Sequence, residues 1–313
     1  MEADSATVLG YWGILLAVLS GAIRVGTPFL LVSLGECITE KSGRINVGLE
    51  GTLIMGAMVA FATAYHSGDP WLGVLAAALS GAVLGLIHSC VCSLARTSDI
   101  AVGIAMMLFA IGLAFFFGKP YLHPPGPKLP ELDFGGWVSN PQIASALRIN
   151  VLFVLGLLLV PAVWALLYRT RWGLQLRTVG DSREAAMALG LPIETARAAA
   201  TAVGGSLAGI AGAFLSLDYP GIWNEGLASG QGLMAVVLVI FARWRPIGCL
   251  WAALMFGGAG ALSPALQSVG FTEGYELTAA APYALTLLLM IITAKPGRSL
   301  KGAPGELVLN DKQ

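Results

Sequence analysis

Charged residues divide the chain into long apolar runs. Residues 51–68, 70–95, 100–118, 149–168, 198–217, 226–242, 246–272 and 277–294 contain no Asp, Glu, Lys or Arg. Each run is close to the ~20 apolar residues that a helix needs to cross a bilayer. A ninth run, about 11–34, is interrupted by Arg24. The pattern predicts an all-α membrane protein: a polytopic bundle of about nine transmembrane helices forming one domain over residues 1–313. Three polar stretches interrupt or end the bundle: a loop at 119–148, a loop at 169–197 and a tail at 295–313.

Composition supports this reading. The chain is 56% hydrophobic and 12% charged, whereas an average soluble domain is about a quarter charged. Its mean hydropathy is +0.77. Eighteen acids and eighteen bases are too few to coat a soluble protein of this size. Their zero balance excludes the basic footprint of a nucleic-acid binder. Cys37, Cys90, Cys92 and Cys249 are scattered, with no disulfide framework or metal spacing. Glu2 and Asp4 with no basic n-region argue against a cleaved signal peptide.

Lys and Arg set the orientation, because they concentrate in cytoplasmic loops. Nine alternating spans with a cytosolic C-terminus place most of the 18 on the inside, from Lys41 and Arg44 through Arg171 and Arg183 to Lys312. Only Lys119, Lys128 and Arg148 fall outside. The N-terminus is then outside. Tyr65, Trp71, Tyr219 and Trp223 fall at outer ends, and Tyr168, Trp172 and Trp244 at inner ends, as an aromatic belt requires.

The outer loop 119–148 is proline-rich, with Pro120, Pro124, Pro125, Pro127 and Pro130, and reads as extended or poorly ordered chain. It is a candidate docking surface or a plain connector. Gly81 and Gly85, like Gly205 and Gly209, form small-xxx-small pairs that allow close helix contact. Ala76–Gly85 (AAALSGAVLG) also aligns with Ala200–Gly209 (ATAVGGSLAG). These helices are three spans apart, so they run in opposite directions, which hints at an inverted repeat.

The loop 169–197 carries the most local information. Asp181 reads as a helix N-cap, with Ser182 and Arg183 following and Glu184 completing a capping box. Ala185, Ala186, Met187, Ala188 and Leu189 favour helix. Gly190 suits the C′ position and Pro192 blocks continuation. The result is a short helix over 182–189. A helix this short is unstable alone, so it packs on a partner or on its own bundle.

Here a resemblance appears. Glu184-Ala185-Ala186-x-x-x-Gly190 resembles the coupling-helix signature of ABC-importer permeases. The stretch Thr178 through Gly190 then Thr201–Leu217, the block Gly35-Glu36 through Gly43-Arg44-Ile45-Asn46-Val47-Gly48-Leu49-Glu50-Gly51, and the block Gly232 through Gly248 with Phe241-Ala242-Arg243-Trp244-Arg245-Pro246-Ile247-Gly248 are similar to further parts of the same family, in the same order. Ala242 stands where the family usually has Gly, which implies a stiffer turn. The chain thus resembles permeases of nucleoside and simple-sugar importers, within the ribose and branched-chain amino acid permease superfamily.

The resemblance implies a bacterial plasma (inner) membrane protein that forms a path for nucleosides by ATP-driven alternating access. It implies a second, paralogous permease subunit, a cytosolic ABC ATPase and an extracytoplasmic binding protein or lipoprotein. Asp181, Ser182, Arg183, Glu184, Ala185, Ala186 and Gly190 would contact the ATPase. ATP and Mg would sit on that partner, with no cofactor, metal or catalytic residue on this chain. The nearest Walker-like segment, Gly112 to Gly118-Lys119-Pro120, has the wrong spacing and lacks Ser or Thr.

Translocation-path candidates are Asn46, Glu50, Asp99, Met106, Phe109, Asn224 and Gln231, which combine amides, carboxylates and an aromatic face suited to a nucleoside. Glu50 reads either as a gate or as a packing carboxylate hydrogen-bonded to backbone. Asp99 reads either as path lining or as a helix cap. The competing functions are a branched-chain amino acid or ribose ABC permease and an ion-coupled secondary transporter.

Overall fold

A computed structural model of the chain describes residues 10–122, 126–138, 141–218, 220–267, 274–293 and 302–309. Glu2, Asp4, Pro124, Pro125, Tyr219 and Lys312 lie outside the described residues. The long helices are α1 (Gly10–Lys41), α2 (Leu49–Ser67), α3 (Pro70–Cys92), α4 (Asp99–Gly118), α6 (Val151–Arg169), α9 (Ile193–Leu217) and α11 (Pro246–Gln267). Shorter helices are α5 (Pro141–Ala146), α7 (Arg171–Asp181), α8 (Arg183–Ala188), α10 (Gln231–Phe241), α12 (Tyr275–Ala279), α13 (Ala281–Thr293) and α14 (Gly305–Leu309). Strands β1 (Glu131–Asp133) and β2 (Arg148–Asn150) pair antiparallel, with Leu132 opposite Ile149.

Each apolar run becomes helix, and local chemistry sets many of the ends. Asp69 accepts the Trp71 amide at 2.9 Å with Pro70 in the first turn, starting α3. Asn150 accepts the Leu152 amide at 2.5 Å and starts α6. Gly68 ends α2 at a φ of 74°, in the left-handed region that glycine favours.

Among the described residues, six helices are long and apolar enough to cross a membrane: α1, α3, α4, α6, α9 and α11. The chain is therefore a mostly helical, multi-pass protein. Arg24 does not interrupt the first run, because α1 continues through it for 32 residues. The run 226–242 yields only the 11 residues of α10. At ~1.5 Å per residue, α10 is far shorter than a ~30 Å hydrocarbon core.

At the centre lies α9, packed on α1, α2 and α3. Bare backbone meets bare backbone there. A Cβ on Gly35 would stand 2.6 Å from the Gly204 carbonyl oxygen, and one on Gly56 would stand 2.7 Å from the Gly209 Cα. Between α3 and α9, Gly81 faces Gly205, Gly85 faces Thr201 and Ala77 faces Gly209. The contacts advance along one helix as they retreat along the other, so the two similar segments cross antiparallel. Such contact lets dispersion and backbone approach replace a hydrophobic drive that lipid does not supply.

The loop 119–148 departs from its expected form. It holds β1, α5 and β2 as a small lobe, and its proline-rich part is tied down. Leu129 donates its amide to the Leu217 carbonyl at 3.0 Å, and Gly126 rests on the Phe61 ring. Trp137 projects from this lobe with 83% of its surface exposed. Asp218, just past α9, is half-buried, and burial pushes its carboxyl above the usual range.

Candidate functional site

The loop 169–197 folds as two helices. Thr170 caps α7 by accepting the Gly173 amide at 3.0 Å. Gly173, Leu176, Val179 and Gly180 form its buried stripe, and Arg177 lies over the Tyr168 ring at 4.9 Å. Sequence reasoning missed α7. The spacing of Gly173, Leu176 and Gly180 was the available signal.

The second helix, α8, is shorter than expected and has a different cap. Ser182 accepts the Ala185 amide at 3.2 Å. Asp181 instead closes α7, so the expected Asp181–Glu184 capping box does not form. The reason is continuity: α7 runs through Asp181, leaving Ser182 as the extended residue between two helices. At the other end Gly190 takes a φ of 67°, and the Leu191 amide reaches back to the Ala186 carbonyl at 3.0 Å. That bond closes a Schellman turn.

Ala186 alone is buried on α8, against Val179 and Ile193. Arg183, Glu184 and Ala185 are exposed. Met187 and Leu189 are 56% and 68% exposed. Glu184 and Met187, three positions apart, share one exposed face of the helix, and Leu189 is exposed just past its end.

Beside α8 lies the Gly43–Gly51 block. Gly43 takes a φ of 82°. Arg44, 6% exposed, pairs with Asp99 at 2.8 Å and Glu194 at 3.0 Å. It also donates to the Cys92 carbonyl at 2.8 Å. Glu194 reaches on to Arg183 at 3.5 Å. Asp99 is thus the first residue of α4 and an ion-pair partner rather than its cap. Ser98 occupies the cap position.

Asn46 donates its amide to Glu36 at 2.7 Å and accepts the Gly48 amide at 3.0 Å. Gly51 lies against α4, where a Cβ would stand 2.6 Å from the Met107 carbonyl oxygen.

Glu50 accepts the amides of Gly230 at 2.8 Å and Gly232 at 2.7 Å. Its carboxylate thereby serves two otherwise unpaired donors at the start of α10. The translocation-path candidates fall into two groups. Asn46, Asp99 and Met106 gather around the α1–α2 turn, where Met106 faces Gly48. Glu50, Gln231 and Asn224 belong to the approach to α10. There Asn224 accepts the Gly226 amide at 2.9 Å, and the Gln231 side-chain oxygen is buried with no hydrogen bond. Phe109 joins neither group and faces outward from α4.

Two carboxylates on α1 take partners that the sequence does not show. Glu36 and Glu40 are fully buried, and the Trp244 indole donates to Glu40. Trp244 belongs to the Phe241–Gly248 block. Ala242 there keeps an ordinary right-handed backbone, while Arg243 and Trp244 adopt φ near 54°. Alanine at 242 therefore fits without strain, and the unusual geometry of the turn lies one and two residues later. Among the described residues no group of three or more His, Cys, Asp or Glu side chains is placed to hold a metal ion.

Comparisons with known proteins agree on a family. The profile described as "Branched-chain amino acid transport system / permease component" matches residues 6–294. The guanosine ABC transporter permease protein NupQ of Bacillus subtilis is 30% identical over 296 residues, covering 88% of this chain and 92% of its own. The nucleoside ABC transporter permease protein NupC of Lactococcus lactis is 30% identical, covering 77% and 80%. A Haloferax volcanii protein provisionally named as a glucose ABC transporter permease, TsgC13, is 35% identical, covering 80% and 78%. No solved structure matches the chain.

Proposed function

The chain belongs to the branched-chain amino acid transport system permease component family, and from that premise we propose that it is the permease subunit of an ABC importer for nucleosides. The observation that carries the mechanism is α8: a capped two-turn helix that buries Ala186 and exposes Glu184, Met187 and Leu189. Exposed apolar side chains near a charge suit a protein partner's groove.

In this reading α8 seats on a cytosolic ABC ATPase, which holds ATP and Mg. A second, paralogous permease completes the path. Two relatives from one organism, NupQ and NupP of Bacillus subtilis, are both named guanosine ABC transporter permeases and both resemble this chain. A binding protein delivers cargo at the opposite face, and ATP binding moves α8 so that access alternates. In this reading the N-terminus lies outside and α8 in the cytosol. The concentration of Arg around α7 and α8 supports that orientation. The antiparallel crossing of α3 and α9 supports an inverted repeat.

A simple sugar is the second cargo reading, because TsgC13 carries a glucose name at 35% identity. An ion-driven carrier would need exchangeable carboxylates lining a water-filled path. Glu36, Glu40 and Glu50 each hold a backbone amide or an indole instead.

The test is ATP hydrolysis by the complex purified through this chain from native membranes. The expected result is co-purifying ATPase activity that rises with a nucleoside-loaded binding protein, and is lost with Glu184→Arg. Stimulation by glucose alone would move the cargo to sugars. A lone chain that carries out ion-driven uptake in liposomes would overturn the importer.

A further inference from the structure

Beyond α8 itself, we propose that the segment Gly302–Leu309 is a clasp that ties α8 to the ends of α1 and α9, with Glu306 as its positioning residue. One Glu306 carboxylate oxygen accepts the backbone amide of Arg183, the first residue of α8, at 2.9 Å. The other lies 3.4 Å from the Arg197 guanidinium on α9. Arg197 has a side chain only 5% exposed, and its Nε donates to the Ser42 carbonyl at 3.1 Å. Glu306 is thus a counter-ion for a buried cation and an acceptor for α8 at once.

The same segment reaches α1 independently. The Lys41 ammonium donates to the Gly302 carbonyl at 2.9 Å. Gly305 lies against the backbone of Asp181, where a Cβ would come within 3.2 Å of the carbonyl carbon. Pro304 is buried, and Ala303 packs on the core formed by α1, α9 and α11. Five residues therefore touch three helix ends that are far apart in sequence.

The physical need is plain. Six residues with one buried side chain do not hold a helix in place. Without Glu306, α8 is held by its Ser182 junction with α7, by Ala186 against Val179 and Ile193, by the 189–192 connector and by Glu194, a 42% exposed partner of Arg183 that solvent screens. With Glu306, a displacement of α8 pulls on Arg197, and through Ser42 on the α1–α2 turn. The clasp makes α8 and the bundle move as one body.

This inference rests on the coupling role of α8, so its test needs a readout that does not. In detergent, without the ATPase, a thiol probe is applied to Ala186→Cys in a Cys90→Ser background, since Ala186 is buried and Cys90 is exposed. Loss of a charge-assisted hydrogen bond predicts that Glu306→Ala speeds labelling about tenfold. Glu306→Gln keeps an acceptor for the Arg183 amide and removes only the charge facing Arg197, so it gives a smaller rise and serves as the control for misfolding. In the reconstituted complex, uptake per ATP hydrolysed falls by a similar factor in Glu306→Ala.

Labelling equal to the parent's in both variants overturns the clasp. So does faster labelling with uptake per ATP unchanged where Glu184→Arg abolishes ATPase attachment, because the segment then holds α8 without transmitting its motion. If Glu184→Arg leaves ATPase attachment intact while labelling still rises, the coupling reading fails and the clasp as a tether stands.

Discussion

The carboxylate of Glu50 holds the amide of Gly232 at 2.7 Å, joining α2 to the first turn of α10 across 182 positions of sequence. Gly232 permits this because a Cβ there would stand 2.5 Å from the Glu50 backbone nitrogen. Glu50→Ala strands two amides at the start of a short helix, so it is expected to cost about 2–4 kcal/mol. Glu50→Gln keeps one acceptor and costs roughly half as much. Thermal unfolding in a single detergent measures both. Equal stability of Glu50→Ala and the parent would show that water replaces the carboxylate there.

Helix contact through glycine makes a paired prediction. Gly56→Ala drives a methyl into the Gly209 backbone and is expected to destabilise by about 1–3 kcal/mol. Gly112→Ala on α4 meets nothing within 4 Å and is expected to be neutral, or stabilising by up to about 1 kcal/mol. The same unfolding assay on both variants checks the contrast, and a neutral Gly56→Ala would refute the close crossing.

Arg44 and Asp99 form the most enclosed ion pair among the described residues outside the clasp, with side chains 7% and 17% exposed. Arg44→Met leaves Asp99 without its cation and is expected to cost about 3 kcal/mol or more. Combining it with Asp99→Asn is expected to recover about 1–3 kcal/mol relative to the sum of the single changes. Additive single and double variants in a full cycle would remove the pair's structural role. The more exposed Glu194 is expected to contribute little.

Orientation is tested from the two ends of the bundle. A cysteine at Trp137, on the exposed tip of the β1–β2 lobe, is expected to react with an impermeant thiol reagent on intact cells. One at Glu184 is expected to react only after lysis. Inverted labelling would reverse the topology, and with it the side on which α8 meets a partner.

Much of the framework is legible in the order of residues. Apolar runs bounded by charges locate the helices, because a bilayer-length segment is a local property. The Gly43–Gly51 and Phe241–Gly248 blocks identify the family for the same reason: their turns depend on neighbours. Gly190 at the end of α8 is a local signal that the structure repeats. The Asp181 cap fails because α7 was unseen, and with it the fact that Ser182 sits between two helices.

Other features are invisible in one dimension. Asp99 reads as a cap until Arg44 arrives from another helix. Glu50 has two readings until the amides of α10 arrive from 180 positions away. Glu306, in a tail that shows no pattern, gains its meaning from Arg183 and Arg197.

The sequence by itself determined that this protein is a helical, multi-pass member of a permease family, since hydrophobic length and short-range turn chemistry are written residue by residue. Only the tertiary structure decided which carboxylate holds which amide, which glycine admits which helix, and what steadies α8. Those choices are made by contacts between segments far apart in the chain, where proximity rather than sequence spacing sets the energy.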